Sequence, residues 1–301
     1  MFKGCAYVGE SYCPLEEAKI SVFDPGFNHS DSVYDVTSTW LGQFFRLDDH
    51  IARFLSSCEG FRLRCPYNAS DLKRILATCV ERGGVADGSY VYVAVTRGLY
   101  SSEEARRARD IFRTSPTLIA YALPYMRIAD EDMQERGMRA IIATARRIPD
   151  SCVNLRCKNH HWGDLTAGKF EAREVGADTC VLLSTEGFLT EGPGFNLFFV
   201  KNDVLHTPGR NILMGITRQS VIDIATDLKL PLRVGDFPAD ALLQADEAFV
   251  TSTAGGVMPL AGVGPNSFAG GPGPISRQIR TEYWSRRRHG WLGTSVRDLL
   301  P

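Results

Sequence analysis

Four stretches of this chain carry residue types that do chemistry together. Lys158 stands alone between Asn154-Leu155-Arg156-Cys157 and the amphipathic run Asn159-His160-His161-Trp162-Gly163-Asp164-Leu165, and a lysine amine can condense with an aldehyde. Thr190-Glu191-Gly192-Pro193-Gly194-Phe195-Asn196 places a carboxylate before a glycine-rich bend and an apolar strand. Backbone approaches a ligand closely at such glycines, and a buried glutamate needs a partner. Ile212-Leu213-Met214-Gly215-Ile216-Thr217-Arg218 sets a glycine just before a helix. That arrangement aims backbone N–H groups and the positive end of the helix dipole at one spot, which suits an anion. Thr251-Ser252-Thr253-Ala254-Gly255-Gly256 puts small hydroxyls before glycines at a strand end, a second anion cradle. Taken singly, each stretch also fits an ordinary role: a surface lysine, an exposed loop glutamate, a capped helix, a glycine turn. Jointly they supply what pyridoxal 5′-phosphate requires. The lysine takes the aldehyde, the carboxylate keeps the pyridine nitrogen protonated, and the cradles take the phosphate.

The elements that must position these residues follow from periodicity and turn chemistry. Cys5–Val8 and Ile20–Phe23 read as short strands, and Asp24-Pro25-Gly26-Phe27 as a tight turn. Ser32–Trp40 alternates in polarity, so it is a strand with two different faces. Asp48–Leu63, capped by Asp48 or Asp49, and Ser70–Arg82 repeat apolar residues at helical spacing. Tyr90–Gly98 and Ser115–Leu123 are strands, with a charged, partly helical loop at Tyr100–Asp110. Arg139–Ala145, Asp178–Leu183, Phe195–Val200, Val204–His206 and Ala248–Ser252 are further strands. Leu165–Gly176 is a helix, Thr217 caps another, Gly262–Pro274 is a loop and Ser276–His289 a basic helix. This order predicts an α+β or α/β chain of two domains, 1–123 and 138–301, joined by a charged linker at 124–137. The lysine falls in the second domain.

The 301 residues are 44% hydrophobic and 23% charged, with a formal net charge of -1. That balance gives no bulk attraction to nucleic acid or to an anionic membrane. No apolar run reaches the roughly 20 residues of a spanning helix. Met1–Tyr12 lacks an apolar signal core, so a cytoplasmic location is expected. None of the eight cysteines forms a CxxC pair, and no Cys/His set has metal-ligand spacing. Reduced thiols and no metal are therefore expected.

The motifs resemble the class IV aminotransferases, the fold type IV group of pyridoxal phosphate enzymes that holds the branched-chain and D-amino acid aminotransferases. The resemblance runs from Ile20 to about Pro274. It rests on Phe23-Asp24-Pro25-Gly26-Phe27, Asp49-His50-Ile51-Ala52-Arg53, Lys158 with Gly163-Asp164-Leu165, and the Glu191, Gly215 and Thr251 motifs quoted above. It implies that Lys158 is the Schiff-base lysine and shuttles the substrate proton. It further implies that Glu191 meets the pyridine nitrogen and that Leu213 packs on the ring. Gly215, Ile216, Thr217, Thr253 and Arg53 would surround the phosphate. In the family the cofactor lies between two domains of at least a homodimer.

Within the family, Phe27-Asn28-His29-Ser30-Asp31, Phe44–His50, Val95–Leu99 and Trp162–Thr166 are similar to (R)-selective amine transaminases. His29, Tyr34, Val36, Tyr90, Tyr92 and Ala254 would then line the substrate pocket. The reaction implied is a ping-pong transfer of an amino group from an amine or amino acid to a 2-oxo acid, of the (R)-amine or branched-chain type. A lyase of the aminodeoxychorismate type and a non-catalytic cofactor binder are the alternatives. Two departures stand out. Branched-chain enzymes carry an arginine, and amine transaminases a glutamate, where this chain has Tyr92. Glu103 stands where amine transaminases place a carboxylate-binding arginine, with Arg106, Arg107 and Arg109 nearby as substitutes if the loop folds inward.

Overall fold

The computed structural model describes residues 3–268 and 272–300. Residues 269–271 of the expected Gly262–Pro274 loop lie outside the described residues. The chain forms two compact units. The first comprises Met1–Met126, Cys157–His160 and Arg287–Pro301, the second Arg127–Arg156 and His161–Arg286.

In the first unit the strands are β1 (Cys5–Val8), β2 (Ser11–Cys13), β3 (Ser32–Trp40), β4 (Gln43–Phe45), β5 (Gly88–Tyr100) and β6 (Thr114–Pro124). With the late strand Gly293–Ser295 they build a seven-stranded sheet, ordered Gly293–Ser295, β4, β3, β5, β6, β1, β2, in which every pairing is antiparallel. The helices are α1 (Pro25–Asn28), α2 (Leu47–Gly60), α3 (Ala69–Gly83) and α4 (Glu103–Ala108).

Strand alternation gives this sheet two unlike faces. Val33, Val91, Val93, Val95, Leu118, Ala120 and Ala122 pack into one core with Ile51, Phe54 and Cys58 of α2 and Leu72, Leu76 and Cys79 of α3. The register sets Ser32, Tyr34, Val36, Tyr90, Tyr92 and Tyr121 on the other face. Ile20–Phe23 is a turn rather than a strand, and Val22 and Phe23 are exposed. Asp48 and Asp49 do not cap α2. Its N-cap is Arg46 in the left-handed region, and the two aspartates pair instead with Lys73 and Arg46.

In the second unit the elements are α5 (Glu131–Arg136), β7 (Met138–Arg146), α6 (Gly163–Glu174), β8 (Thr179–Leu183), β9 (Glu191–Gly192), β10 (Phe195–Lys201), β11 (Val204–Pro208), α7 (Ile216–Asp227), β12 (Leu232–Gly235), α8 (Ala239–Leu243), β13 (Glu247–Ser252), β14 (Gly256–Val263), β15 (Asn266–Ser267) and α9 (Pro274–Arg288). The sheet runs β12, β11, β10, β13, β14, β7, β8, with β9 on β10 and β15 on β14. It is mixed: β7 pairs in parallel with both β14 and β8. On one face, Leu197, Phe199, Val250, Met258 and Leu260 pack with Phe237 and with Leu242 of α8. α6 covers Ala143, Cys180 and Leu182 with Leu165 and Ala172.

The expected domain boundaries change in three places. The 124–137 stretch is no free linker, because the second unit begins at Arg127 and holds α5. The tail joins the first unit, where Gly293–Ser295 pairs with β4 and the Arg287 guanidinium lies 4.7 Å over the Phe45 ring. Lys158 also belongs to the first unit and not to the second domain. The cause is a backbone pairing too distant in sequence for local periodicity to reveal. Tyr34 N–H donates to the Lys158 carbonyl at 2.9 Å, and Val33 bridges to Asn159.

Candidate active site

The lysine is held by the edge of β3 and by α2. Its N–H donates to Ser57 Oγ at 3.0 Å, and Ser57 Oγ donates in turn to the Arg53 carbonyl at 2.8 Å. The Lys158 Nζ lies 4.5 Å over the Tyr34 ring, a cation–π distance. Tyr34 also stacks on His160, with ring centroids 4.5 Å apart, and on Tyr92 at 5.4 Å. The His160 ring is fixed at both nitrogens, by Ser32 Oγ at 2.8 Å and by Tyr92 OH at 2.6 Å. Tyr121 stacks on Tyr92 at 4.6 Å. Burial pushes the Tyr90 and Tyr92 phenols far above their ordinary range and Tyr121 up to about 12. All three are neutral hydrogen-bonding groups at physiological pH. The expected pocket residues Tyr34, Val36, Tyr90 and Tyr92 thus share one face of the first sheet. His29 does not join them; it is exposed at the C-cap of α1.

Arg53 reaches through the opposite face of β3. Its Nε and a terminal nitrogen donate to the two oxygens of Asp35 at 2.8 and 2.9 Å, and His50 Nδ1 is 2.7 Å from the same carboxylate. Burial opposes the Asp35 charge. Arg53 and then His50 overcome it and hold this carboxylate well below its usual range. Burial pushes His50 below its ordinary value despite the neighbouring aspartate.

In the second unit Glu191 sits on β9 and is 5% exposed. Its Oε1 accepts from Arg147 Nε at 3.1 Å, while Oε2 accepts from Leu213 N–H at 3.0 Å and Asn196 Nδ2 at 3.2 Å. Arg147 is also held by Asp164 Oδ2 at 2.6 Å. Burial works against the Arg147 charge, yet Glu191 and Asp164 hold the guanidinium above its ordinary value. Of the two roles open to Glu191 in the sequence, exposed loop acid or buried and paired carboxylate, the structure shows the second.

Leu213 links this carboxylate to α7. Asn196 Nδ2 donates to the Leu213 carbonyl at 2.8 Å, and a Cβ on Gly215 would stand 1.9 Å from Asn196 Oδ1. Only glycine fits there. The expected cap at Thr217 is displaced for that reason: Gly215 is the N-cap, and Ile216 and Thr217 form the first turn. The first intrahelical bond runs from Gln219 N–H to the Gly215 carbonyl, so the N–H groups of Ile216, Thr217 and Arg218 have no helical acceptor. Thr251 faces Asn196 across the ladder, and its Oγ1 is buried without a hydrogen-bond partner. Thr253 and Ala254 follow in the turn, where Ala254 N–H donates to Ser252 Oγ at 3.2 Å. These donors, an orphaned hydroxyl and a paired carboxylate fit a phosphorylated heterocycle with a protonated ring nitrogen.

The loop that was to supply a carboxylate-binding arginine is different. β5 extends to Tyr100, and Glu103–Ala108 is helical with Ser102 as its cap. Arg106 and Arg107 both turn to Glu103, at 2.6 and 3.1 Å on the exposed surface. Arg147, His160, Ser57, Asp35, Asp164 and Asn196 carried no role in the sequence reading. Asp164, Asn196 and His160 stood in quoted motifs, and Asp35 was an acid inside a strand that alternates in polarity. Arg147 gave no signal.

Residues 32–263 match the family model described as amino-transferase class IV, and the chain belongs to that family. It is an aminotransferase of fold type IV, a class that works with pyridoxal phosphate. A D-alanine aminotransferase of Bacillus licheniformis is 30% identical over 270 residues, covering 88% of this chain and 90% of that one. A branched-chain amino acid aminotransferase of T.th., solved with pyridoxamine 5′-phosphate, superposes with a TM-score of 0.89 at 28% identity, over 98% of this chain and 99% of that one. The branched-chain aminotransferase of Thermoproteus uzoniensis, solved with norvaline, superposes with a TM-score of 0.87 at 28% identity, over 97% and 99%.

Proposed function

We propose that this aminotransferase takes its amino group from an amino acid or a small amine, delivers it to a 2-oxo acid by a ping-pong reaction, and uses Lys158 as its catalytic residue. The observation that carries this reading is the placement of the Lys158 amine over the Tyr34 ring, which itself stacks on the hydrogen-bonded His160 and on Tyr92. An amine there can take a proton from a substrate Cα and return it to a neighbouring carbon. Pyridoxal phosphate, when bound, supplies the conjugated ring that accepts the electrons released at Cα. Glu191 would face the ring nitrogen, and Leu213 would pack on the ring. Gly215, Ile216, Thr217 and Thr253 would hold the phosphate through N–H and hydroxyl groups, with Arg53 as a charged contact. Tyr34, Val36, Tyr90, Tyr92 and Ala254 would shape the substrate pocket and exclude water.

Relatives include both branched-chain and D-alanine enzymes. The donor is therefore decided by experiment. L-leucine, D-alanine and (R)-1-phenylethylamine are added singly to the cofactor-loaded protein without an acceptor, and the visible absorption of the pyridoxal form is followed. Loss of that absorption with one donor assigns the substrate. Persistence with all three, or pyruvate formed beyond one equivalent per bound cofactor without any acceptor, would defeat the transaminase reading.

A homodimer belongs to the same proposal. Support comes from exposed apolar side chains of the first unit, Val22 and Phe23 at 63% and 61% and Phe112 at 87%, a kind of surface that marks contact sites. Sedimentation of the loaded protein tests it. Among the described residues no helix is long and apolar enough to cross a membrane. A cytoplasmic location is proposed on the eight cysteines, which stand outside any disulfide and of which five are buried.

A further inference from the structure

The Gly163-Asp164-Leu165 motif has so far had no chemical role, although Asp164 sits in a buried charge cluster of the second unit. Asp164 Oδ2 accepts from Arg147 at 2.6 Å and from Ile148 N–H at 2.8 Å, and Oδ1 accepts from Leu165 N–H at 2.8 Å. Arg147 spends its other face on Glu191, at 3.1 Å through both Nε and a terminal nitrogen. The side chains of all three residues are at most 7% exposed. Thus an acid, a guanidinium and a second acid stand in one line, with Arg147 in the middle.

The charges along that line matter more than the contacts. A guanidinium touching Glu191 draws its negative potential inward and weakens it toward any other cation. Arg218 of α7 adds a second guanidinium that feels the Glu191 charge. It donates to Thr207 Oγ1 at 3.2 Å and to the Pro208 carbonyl at 3.0 Å. Those acceptors are neutral, so they do not cancel its charge. Asp164 is the anion that cancels Arg147. Its bonds to Ile148 and Leu165 fix its position, and Arg147 cannot turn away from Glu191 while Asp164 holds it.

We infer that Asp164, acting through Arg147, is a positioning residue that leaves the charge of Glu191 available to a protonated ring nitrogen. Asp164 touches neither substrate nor cofactor in this role. The inference rests on the proposed pairing of Glu191 with that nitrogen, and the experiment separates the two.

Ring-¹⁵N pyridoxal phosphate is bound to the wild type, Glu191→Gln, Asp164→Asn and Asp164→Glu. The ¹⁵N shift, which reports ring protonation, is titrated with pH. Far-ultraviolet circular dichroism and retained cofactor confirm folding. Asp164→Asn is expected to weaken the proton affinity of the ring nitrogen about tenfold. Asp164→Glu, which keeps the charge, should return it to within about threefold of the wild type. An unmoved nitrogen in Asp164→Asn, alongside a moved one in Glu191→Gln, overturns the inference and leaves the pairing intact. Equal losses in Asp164→Asn and Asp164→Glu also overturn it, since packing and not charge would then be at work. An unmoved nitrogen in Glu191→Gln defeats the pairing itself. If Asp164→Asn fails to fold, Asp164→Ser, which also removes the charge, takes its place: weakened proton affinity of the ring nitrogen there, with Asp164→Glu near the wild type, supports the charge account, and an unmoved nitrogen overturns it.

Discussion

The two units bring opposite chemistry to the residues proposed for catalysis. Around Lys158, the first unit offers tyrosines, an imidazole and a serine: aromatic faces and hydrogen-bonded hydroxyls. Around Glu191, the second unit offers a line of full charges, Asp164, Arg147 and Glu191. The difference teaches where each kind of work belongs. On the proposed reading, the proton is moved at carbon beside aromatic and hydrogen-bonded groups, and the charge on the heterocycle is stabilised by ions fixed beforehand, which need no rearrangement during reaction. The first unit also keeps an ion cluster, the buried Asp35 and His50 with the partly buried Arg53, on the other face of β3, where the Asp35 charge still reaches Tyr90 and the Lys158 charge reaches His50.

Substitutions can break or sharpen this contrast. The largest effect is expected from Lys158→Ala, which should cut turnover by more than about a thousandfold while cofactor still binds. Substantial transamination by that variant would mean that the aromatic group of residues does not carry the proton chemistry. Next is Asp35→Asn, which removes a buried carboxylate and leaves the partly buried Arg53 without that counter-ion; it should cost about 3 kcal/mol of stability, read as a fall in the urea midpoint. The pH dependence has a definite sign. The folded carboxylate is held below its ordinary value, so its contribution is full above the unfolded value of about 3.9 and disappears as pH falls below that through the folded value. The gap between wild type and Asp35→Asn should therefore be constant from about pH 5 to 7 and close only in strong acid. A gap that closes near neutrality would point to His50 as the governing group.

Glu191→Ala should lower kcat about a hundredfold, with a smaller change in KM. An unchanged rate would remove the charged group of residues from catalysis. The smallest effect is expected from Tyr92→Phe. It deletes one hydrogen bond to His160 and should shift kcat/KM about three- to tenfold, unequally between amino acid and simple amine donors. Equal shifts for both donor types would make the Tyr92–His160 pair a packing feature and not a selector.

Much of this was legible before the structure. The stretches around Lys158, Glu191, Gly215 and Thr251 stood out because they set particular residue types in short, local patterns, and the family they point to is the one the chain belongs to. The helices at α2, α3, α6 and α9 were legible because each buries one stripe at helical spacing, and their ends shifted by only one to three residues. Asp35 and Arg147 were not legible in role, since an isolated aspartate or arginine declares nothing about its partner. The cap of α7 was misplaced because the reason for Gly215 is Asn196, a strand away in space.

The sequence by itself determined the reaction class and the local elements, because both are written in short-range order: residue type, spacing, propensity and periodicity. The tertiary structure alone decided which unit holds Lys158, which side chains are ionic partners, and which aromatic ring lies beneath the lysine amine. Those depend on pairings such as Tyr34 with Lys158, Arg147 with Glu191 and Gly293–Ser295 with β4. Their partners lie far apart along the chain, and burial, which fixes the strength of each interaction, exists only once they have met.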